Sequence, residues 1–298
     1  MRLKKSDKKQ NKSLQKGVEL MNQNKPQKEN SSQKSIVFLD LDGTLWQNEI
    51  IPPSALEALK QAKANGHLIF TNTGRSKDGA SDRLEELPIA GEVYSAGTEI
   101  WQDGSRIFYQ PMPEELVQKI IAKLQELNAG ICVEGSVSTF ANQKSREHFL
   151  EEFGAKANEL RYYRAPDISE MKPEDYQSVM KISANGLTDG LLDDFLDENN
   201  LTFTLFHTPN NEGIVSGEIT QSAWNKGTAF KEIQKRLDEP YRTIAVGDSA
   251  NDLPMFEKAD LSIAMGNGTE KVRQVADYVT DSIDEDGLYS AFRHFHLI

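Results

Sequence analysis

The stretch Ser35-Ile36-Val37-Phe38-Leu39-Asp40-Leu41-Asp42-Gly43-Thr44 decides the fold. After Ser35, Ile36 to Leu39 are apolar without interruption and open on two β-branched residues, which predicts a buried strand. Asp42-Gly43-Thr44 is good turn chemistry and ends it. Asp40 and Asp42 stand at i and i+2 on extended chain, so their carboxylates point the same way. Packed together they repel, and a divalent cation or a shared proton relieves that. In open α/β sheets, chemistry lies at the carboxyl ends of the strands. An ordinary capped turn would use the same residues, so the pentapeptide needs company.

Working outward, Pro52 and Pro53 precede a helical pattern over 54–65 that Gly66 closes. His67 to Thr71 predicts a second buried strand, and a helix is expected over 76–86. This strand–helix rhythm argues for a doubly wound parallel sheet with helices on both faces. The middle of the chain differs. Short strands are expected around Asp103-Gly104, and Pro113-Glu114-Glu115 opens an amphipathic helix ending near Leu127. Strands are expected over 130–134, 137–141, 178–184 and 201–207, with a helix over 187–199. The α/β rhythm resumes with a helix over 226–237 and a strand over 243–247, then a short helix over 253–258. A strand over 261–265 and helices over 269–275 and 287–295 complete it. The expected fold is therefore an α/β core, 35–111 and 220–298, interrupted by an inserted α+β domain, 112–219.

Composition bounds the rest. The chain has 298 residues and a formal net charge of −12, which argues against a nucleic-acid-binding body. The charge is split. Residues 1–34 carry ten Lys or Arg against three Asp or Glu, with no aromatic residue. They read as a solvated, disordered basic tail, with an electrostatic arm for an anionic surface as the alternative. The longest unbroken apolar run is Ile36 to Leu39, too short to span a bilayer. A single cysteine, Cys132, excludes an internal disulfide and fits a reducing, cytoplasmic setting.

Three further segments keep company with Asp40 and Asp42. Thr71-Asn72-Thr73-Gly74-Arg75 follows the second strand and offers hydroxyls, a glycine amide and a guanidinium at an expected helix start. Such groups form a phosphate site. Asp248-Ser249-Ala250-Asn251-Asp252 brings two more carboxylates to the end of the strand 243–247. Lys226-Gly227 opens a helix, where a lone lysine is slightly unfavourable for the dipole. Each has a plain structural explanation, but all four in this order do not.

These residues, with Leu45, resemble the four motifs of the haloacid dehalogenase superfamily. The insertion between the second and third motifs is similar to that of its class IIB, or Cof-type, phosphatases. Ala264-Met265-Gly266-Asn267-Gly268, Ala276-Asp277-Tyr278-Val279 and Asp286-Gly287 also match. The resemblance spans residues 35–298, and Ala96-Gly97-Thr98 departs from the usual Asn-Gly-Ala. It implies a Mg²⁺-dependent phosphatase of small phosphorylated metabolites, a monomer or homodimer, with 112–219 as a substrate-selecting cap. Asp40 would be the nucleophile and form an aspartyl-phosphate. Asp42 would be the general acid and base, with its backbone carbonyl on the metal. Thr73, or Thr71 if the register slips, would bind a phosphoryl oxygen, and Lys226 would neutralise the phosphate and orient Asp40. Asp248 would ligate the metal, with Asp252 as ligand or outer partner. Gly43, Gly74, Arg75 and Asn251 would complete substrate binding.

Two other readings use the same residues. One is a phosphomutase or phosphotransferase on this scaffold. The other is a phospho-aspartate signalling module, against which Asp42 supplies an acid/base that receiver domains lack. Elsewhere, the five histidines show no ligand spacing near the motifs. Trp46 and Trp224 wall the site entrance or pack in the core. Arg161-Tyr162-Tyr163-Arg164 reads as a solvated edge, with contact to a substrate's distal group as the alternative.

Overall fold

The computed structural model describes residues 34–80, 82–155, 161–206 and 213–298. The basic tail up to residue 33, and His207, lie outside the described residues. In chain order the elements are β1 (Ser35–Leu39), α1 (Pro53–Ala64), β2 (Leu68–Asn72), β3 (Gly91–Tyr94), β4 (Glu99–Gln102) and β5 (Ser105–Tyr109). Then come α2 (Glu114–Glu126), β6 (Gly130–Gly135), β7 (Thr139–Ala141), α3 (Gln143–Phe153), α4 (Arg161–Arg164), α5 (Pro173–Tyr176) and β8 (Val179–Thr188). The series continues with α6 (Asp193–Glu198), β9 (Leu201–Leu205), β10 (Ile214–Gln221), α7 (Thr228–Gln234), β11 (Arg242–Gly247) and α8 (Leu253–Lys258). It ends with β12 (Leu261–Ala264), α9 (Glu270–Val275), β13 (Tyr278–Val279) and α10 (Gly287–His294).

Two sheets result. The first runs β13-β12-β11-β1-β2-β3-β4-β5, parallel from β13 to β3 and antiparallel at β4 and β5. The chain leaves β1 toward β2 on one side, while β11 pairs on the other. The β1/β11 boundary is thus the switch point where such sheets bind ligands. β1 is apolar throughout because both its faces are covered. Val37 and Leu39 pack with Ala58, Leu59 and Phe292 beneath α1 and α10. Ile36 and Phe38 pack with Phe70 and Phe230 on the α7 side, and Phe38 stacks on Phe230 at 3.7 Å.

The second sheet runs β7-β6-β8-β10-β9 and is antiparallel. One face is apolar: Ile131, Val133, Ile182, Ala184 and Ile219 pack with Val117, Ile120 and Leu124 of α2. The alternate residues, Cys132, Glu134, Lys181, Ser183 and Glu218, belong to the opposite face.

Three expected elements differ. In place of a helix over 76–86 there is a turn, followed by one 3₁₀ segment, Asp82–Glu86. The Ser76 hydroxyl and carbonyl both accept from the Gly79 amide, at 3.1 and 3.0 Å, and curl the chain. The helix expected over 187–199 shrinks to Asp193–Glu198, because Leu187 and Thr188 are claimed by cross-strand pairing with Val215 and Ile214. The helix expected over 226–237 spans Thr228–Gln234, since Lys226 is drawn into the site below.

Candidate active site

Asp40 follows β1, where its amide still donates to the Val246 carbonyl of β11 at 3.0 Å. That bond places its carboxylate at the switch point. The Lys226 ammonium, fully buried, donates to Asp40 Oδ1 at 2.5 Å and to Asp252 Oδ1 at 2.6 Å. Lys226 is held from behind by Asn72, whose amide donates to the Lys226 carbonyl at 2.9 Å. Asp252 Oδ2 in turn accepts the amides of Asp248 and Ser249, both at 2.9 Å. Asp252 therefore ties Lys226 to the loop that carries Asp248.

Two glycines make this packing possible. Gly43 has φ +84°, and a Cβ there would lie 2.5 Å from Asp248 Oδ2. A Cβ at Gly247 would lie 2.4 Å from the Asp252 carboxylate. Asn267 clamps the first turn from the far side, donating to the Gly43 carbonyl at 2.8 Å. Its role was carried only by the C-terminal motif, with no local signal of the contact.

Oxygens of Asp40, Asp248 and Asp252 lie within 4.8 Å of one another. One lysine cannot balance three carboxylates. Burial pushes Asp40 well above the usual carboxylate range, and Asp252 and Asp248 add to the push against the pull of Lys226. Burial, then Asp252, pushes Asp248 up to about 6. Burial disfavours the Lys226 charge, but Asp252 and Asp40 outweigh it and raise its pKa. An all-oxygen set short of positive charge fits a hard divalent cation, which Asp40 and Asp248 could hold. Asp252 already accepts three donors, so it suits the supporting role better than a ligand's.

The carboxylate of Asp42 stands apart from this group. Arg75 grips it with two bonds, Nε to Oδ2 at 2.9 Å and Nη2 to Oδ1 at 2.7 Å, and Trp46 Nε1 donates to Oδ1 at 3.0 Å. Arg75 also reaches Glu49 at 2.8 Å. Arg75, expected on substrate, is thus spent on Asp42 and Glu49, and Glu49 is a partner that no motif announced. Trp46 is fully buried and belongs to the core.

Thr73 is buried just past β2, and its hydroxyl accepts the Arg75 amide at 3.1 Å. No α-helix starts at Arg75, so the helix N-terminus expected beside this phosphate loop is not there. Thr71 lies inside β2, fully buried, and its hydroxyl has no hydrogen-bond partner among the described residues. Asn251 is exposed, and its side-chain oxygen accepts from Ser249 at 2.8 Å.

The second sheet reaches this end of the first. Thr139 donates to the buried Asp78 at 2.7 Å, and Ser136 donates to the buried Glu99 at 2.8 Å. A Cβ at Gly79 would lie 2.9 Å from the Tyr162 hydroxyl. Tyr162 is therefore not part of a solvated edge. It faces the loop after Arg75.

A family model for haloacid dehalogenase-like hydrolases matches residues 37–292. The chain belongs to the haloacid dehalogenase-like hydrolases. Among the relatives of this hydrolase is phosphatase YwpJ of Bacillus subtilis (strain 168), 27% identical, covering 87% of this chain and 99% of YwpJ. Another is 5-amino-6-(5-phospho-D-ribitylamino)uracil phosphatase YcsE of the same organism, 24% identical, covering 88% of this chain and 96% of YcsE. The solved structure of BT1666 from Bacteroides thetaiotaomicron shares the fold at TM-score 0.76 and 24% identity, covering 92% of this chain and all of that one. No helix among the described residues is long and apolar enough to cross a membrane.

Proposed function

We propose that this hydrolase is a Mg²⁺-dependent phosphomonoesterase acting on small phosphorylated metabolites through an aspartyl-phosphate on Asp40. The observation that carries the reading is the Asp40–Lys226–Asp252 chain at the switch point, with Asp248 beside it. The phosphatase activities of YwpJ and YcsE agree with it. Mg²⁺, held by Asp40, Asp248 and the Asp42 carbonyl, would supply charge compensation for the phosphoryl group.

Lys226 fixes the Asp40 carboxylate through Oδ1, which orients it for in-line attack on phosphorus. The attack breaks the bond to the leaving oxygen and leaves the phosphoryl group on Asp40. Thr73, the Gly74 amide and Lys226 receive the phosphoryl oxygens. Asp42 protonates the departing oxygen and then takes a proton from the water that hydrolyses the aspartyl-phosphate. To do so it must give up at least one bond to Arg75, so Arg75 keeps the acid/base out of the way until substrate arrives. The inserted domain, 112–219, closes over the site as a cap, with Thr139–Asp78 and Ser136–Glu99 as its fastenings.

The test is release of phosphate and p-nitrophenol from p-nitrophenyl phosphate with Mg²⁺. Wild type is expected to turn over, and Asp40→Asn to lose at least ~10³-fold. Substantial turnover by Asp40→Asn would replace the covalent route with direct attack of water.

A further inference from the structure

A second charged cluster lies on the polar face of the second sheet, and the reaction above does not use it. Lys181 is buried and donates to Glu218 Oε2 at 2.7 Å. Glu134 is buried opposite Lys181 in the β6/β8 register and approaches its ammonium at 3.4 Å through Oε2. Oε2 makes no hydrogen bond among the described residues, while Oε1 accepts the Ser183 hydroxyl at 2.7 Å. Burial opposes the Lys181 charge, but Glu134 and Glu218 outweigh it and raise its pKa. The ammonium stays charged, and the cluster carries one net negative charge.

This cluster faces the phosphate loop. A Cβ at Gly74 would lie 3.7 Å from Glu218 Oε1 and 3.8 Å from Asn251 Nδ2. Glu218 therefore presents to Gly74 the oxygen that Lys181 does not use. Lys181 has three donors; one goes to Glu218, and Glu134 and Tyr162 also act on its charge. A phosphate seated at Thr73 and Gly74 would put its leaving group beside Glu218. There it would meet one carboxylate acceptor and one ammonium donor, in surroundings that already hold an excess of negative charge.

We propose that Lys181, Glu134 and Glu218 form a charge filter for the leaving group, accepting neutral hydroxyl-bearing groups and rejecting acidic ones. The proposal rests on the phosphomonoesterase reading. A hydroxyl can donate to Glu218 and accept from Lys181 at once. A carboxylate or second phosphate can only accept, and it stands against Glu218 and Glu134. The filter works by repulsion as much as by attraction.

Two substrates of one carbon skeleton test this. Glucitol 6-phosphate ends in a hydroxymethyl group where 6-phosphogluconate ends in a carboxylate. The full chain with Mg²⁺ is expected to show kcat/KM at least ~10-fold higher for glucitol 6-phosphate. Glu218→Gln keeps the shape and removes one negative charge, so this ratio should shrink at least ~5-fold. Wild-type hydrolysis of p-nitrophenyl phosphate in the same assay tests the phosphomonoesterase reading by itself. If wild type fails on it and on both sugars, that reading falls and takes the filter with it. If wild type cleaves p-nitrophenyl phosphate, three results overturn the filter alone: equal or greater kcat/KM on 6-phosphogluconate, turnover of neither sugar, or an unchanged ratio in Glu218→Gln.

Discussion

Lys226 and Lys181 are both buried, and each is held by two carboxylates, Lys226 in the turn before α7 and Lys181 within β8. Their surroundings differ in what stands next to them. Lys226 has Asp248 as a third carboxylate, and the cluster sits where β1 and β11 end. Lys181 has a hydroxyl, Ser183, and lies along strands rather than at their ends. The first cluster is short of positive charge and fits a cation. The second sets two carboxylates against one lysine and has a carboxylate oxygen turned toward the first sheet. On the proposed reading, the same salt-bridge chemistry serves reaction in one place and recognition in the other.

Removing each lysine tests that contrast most severely. Lys226→Met and Lys181→Met each leave buried carboxylates uncompensated, and each should lose about 3–5 kcal/mol of stability by denaturant unfolding. Turnover of p-nitrophenyl phosphate should separate them. Lys226→Met is expected to lose at least ~10²-fold, and Lys181→Met far less. Equal losses would erase the distinction.

A smaller effect follows from protons. With Asp248 pushed up to about 6, its carboxylate is protonated below that pH, and a cation must displace the proton. Mg²⁺ affinity measured by titration of activity is expected to fall ~10-fold per unit below pH 6 for one proton. The same shift has an opposite consequence without the cation. The folded state then binds this proton more tightly than the unfolded one, so stability declines as pH rises from the ordinary carboxylate range to about 6. A Mg²⁺-free unfolding series that gains stability over that interval would contradict the electrostatics. EDTA should abolish turnover, and added Mg²⁺ should restore it.

The smallest effect concerns the fastening between the sheets. Thr139→Val removes the hydroxyl that binds Asp78 and should cost about 1 kcal/mol. That corresponds to a drop in Tm of roughly 2–4 °C for a chain of this class.

Much of this molecule was legible in its sequence, and for local reasons. β1, β2 and β11 are short apolar runs that stop at polar residues. Two-sided burial requires the run, and the switch point requires the stop. Asp40, Asp248, Asp252 and Lys226 could be placed together because each stands at a strand or helix end. What escaped depends on pairs distant in the chain. Thr188 belongs to β8 only because Ile214 lies opposite, and Ser76 turns where a helix was expected because its own hydroxyl competes for the Gly79 amide. The grip of Arg75 on Asp42 and Glu49 depends on a second turn, Gln47 to Ile50, that no local pattern specifies. Lys181, Glu134 and Glu218 come from three strands and meet only through register.

The two carboxylates at the end of β1 carry the central claim, and they can be told apart in one experiment. Asp42→Asn keeps the backbone and removes the acid and base. p-Nitrophenolate leaves without a proton, so this variant can still phosphorylate Asp40 but cannot activate water. Rapid mixing of Asp42→Asn with p-nitrophenyl phosphate and Mg²⁺ should give a burst approaching one p-nitrophenolate per active site. Slow turnover and a trapped phospho-enzyme should follow. Asp40→Asn should give no burst. A burst in Asp40→Asn, or none in an Asp42→Asn protein that still turns over, would contradict the assignment of Asp40 as nucleophile.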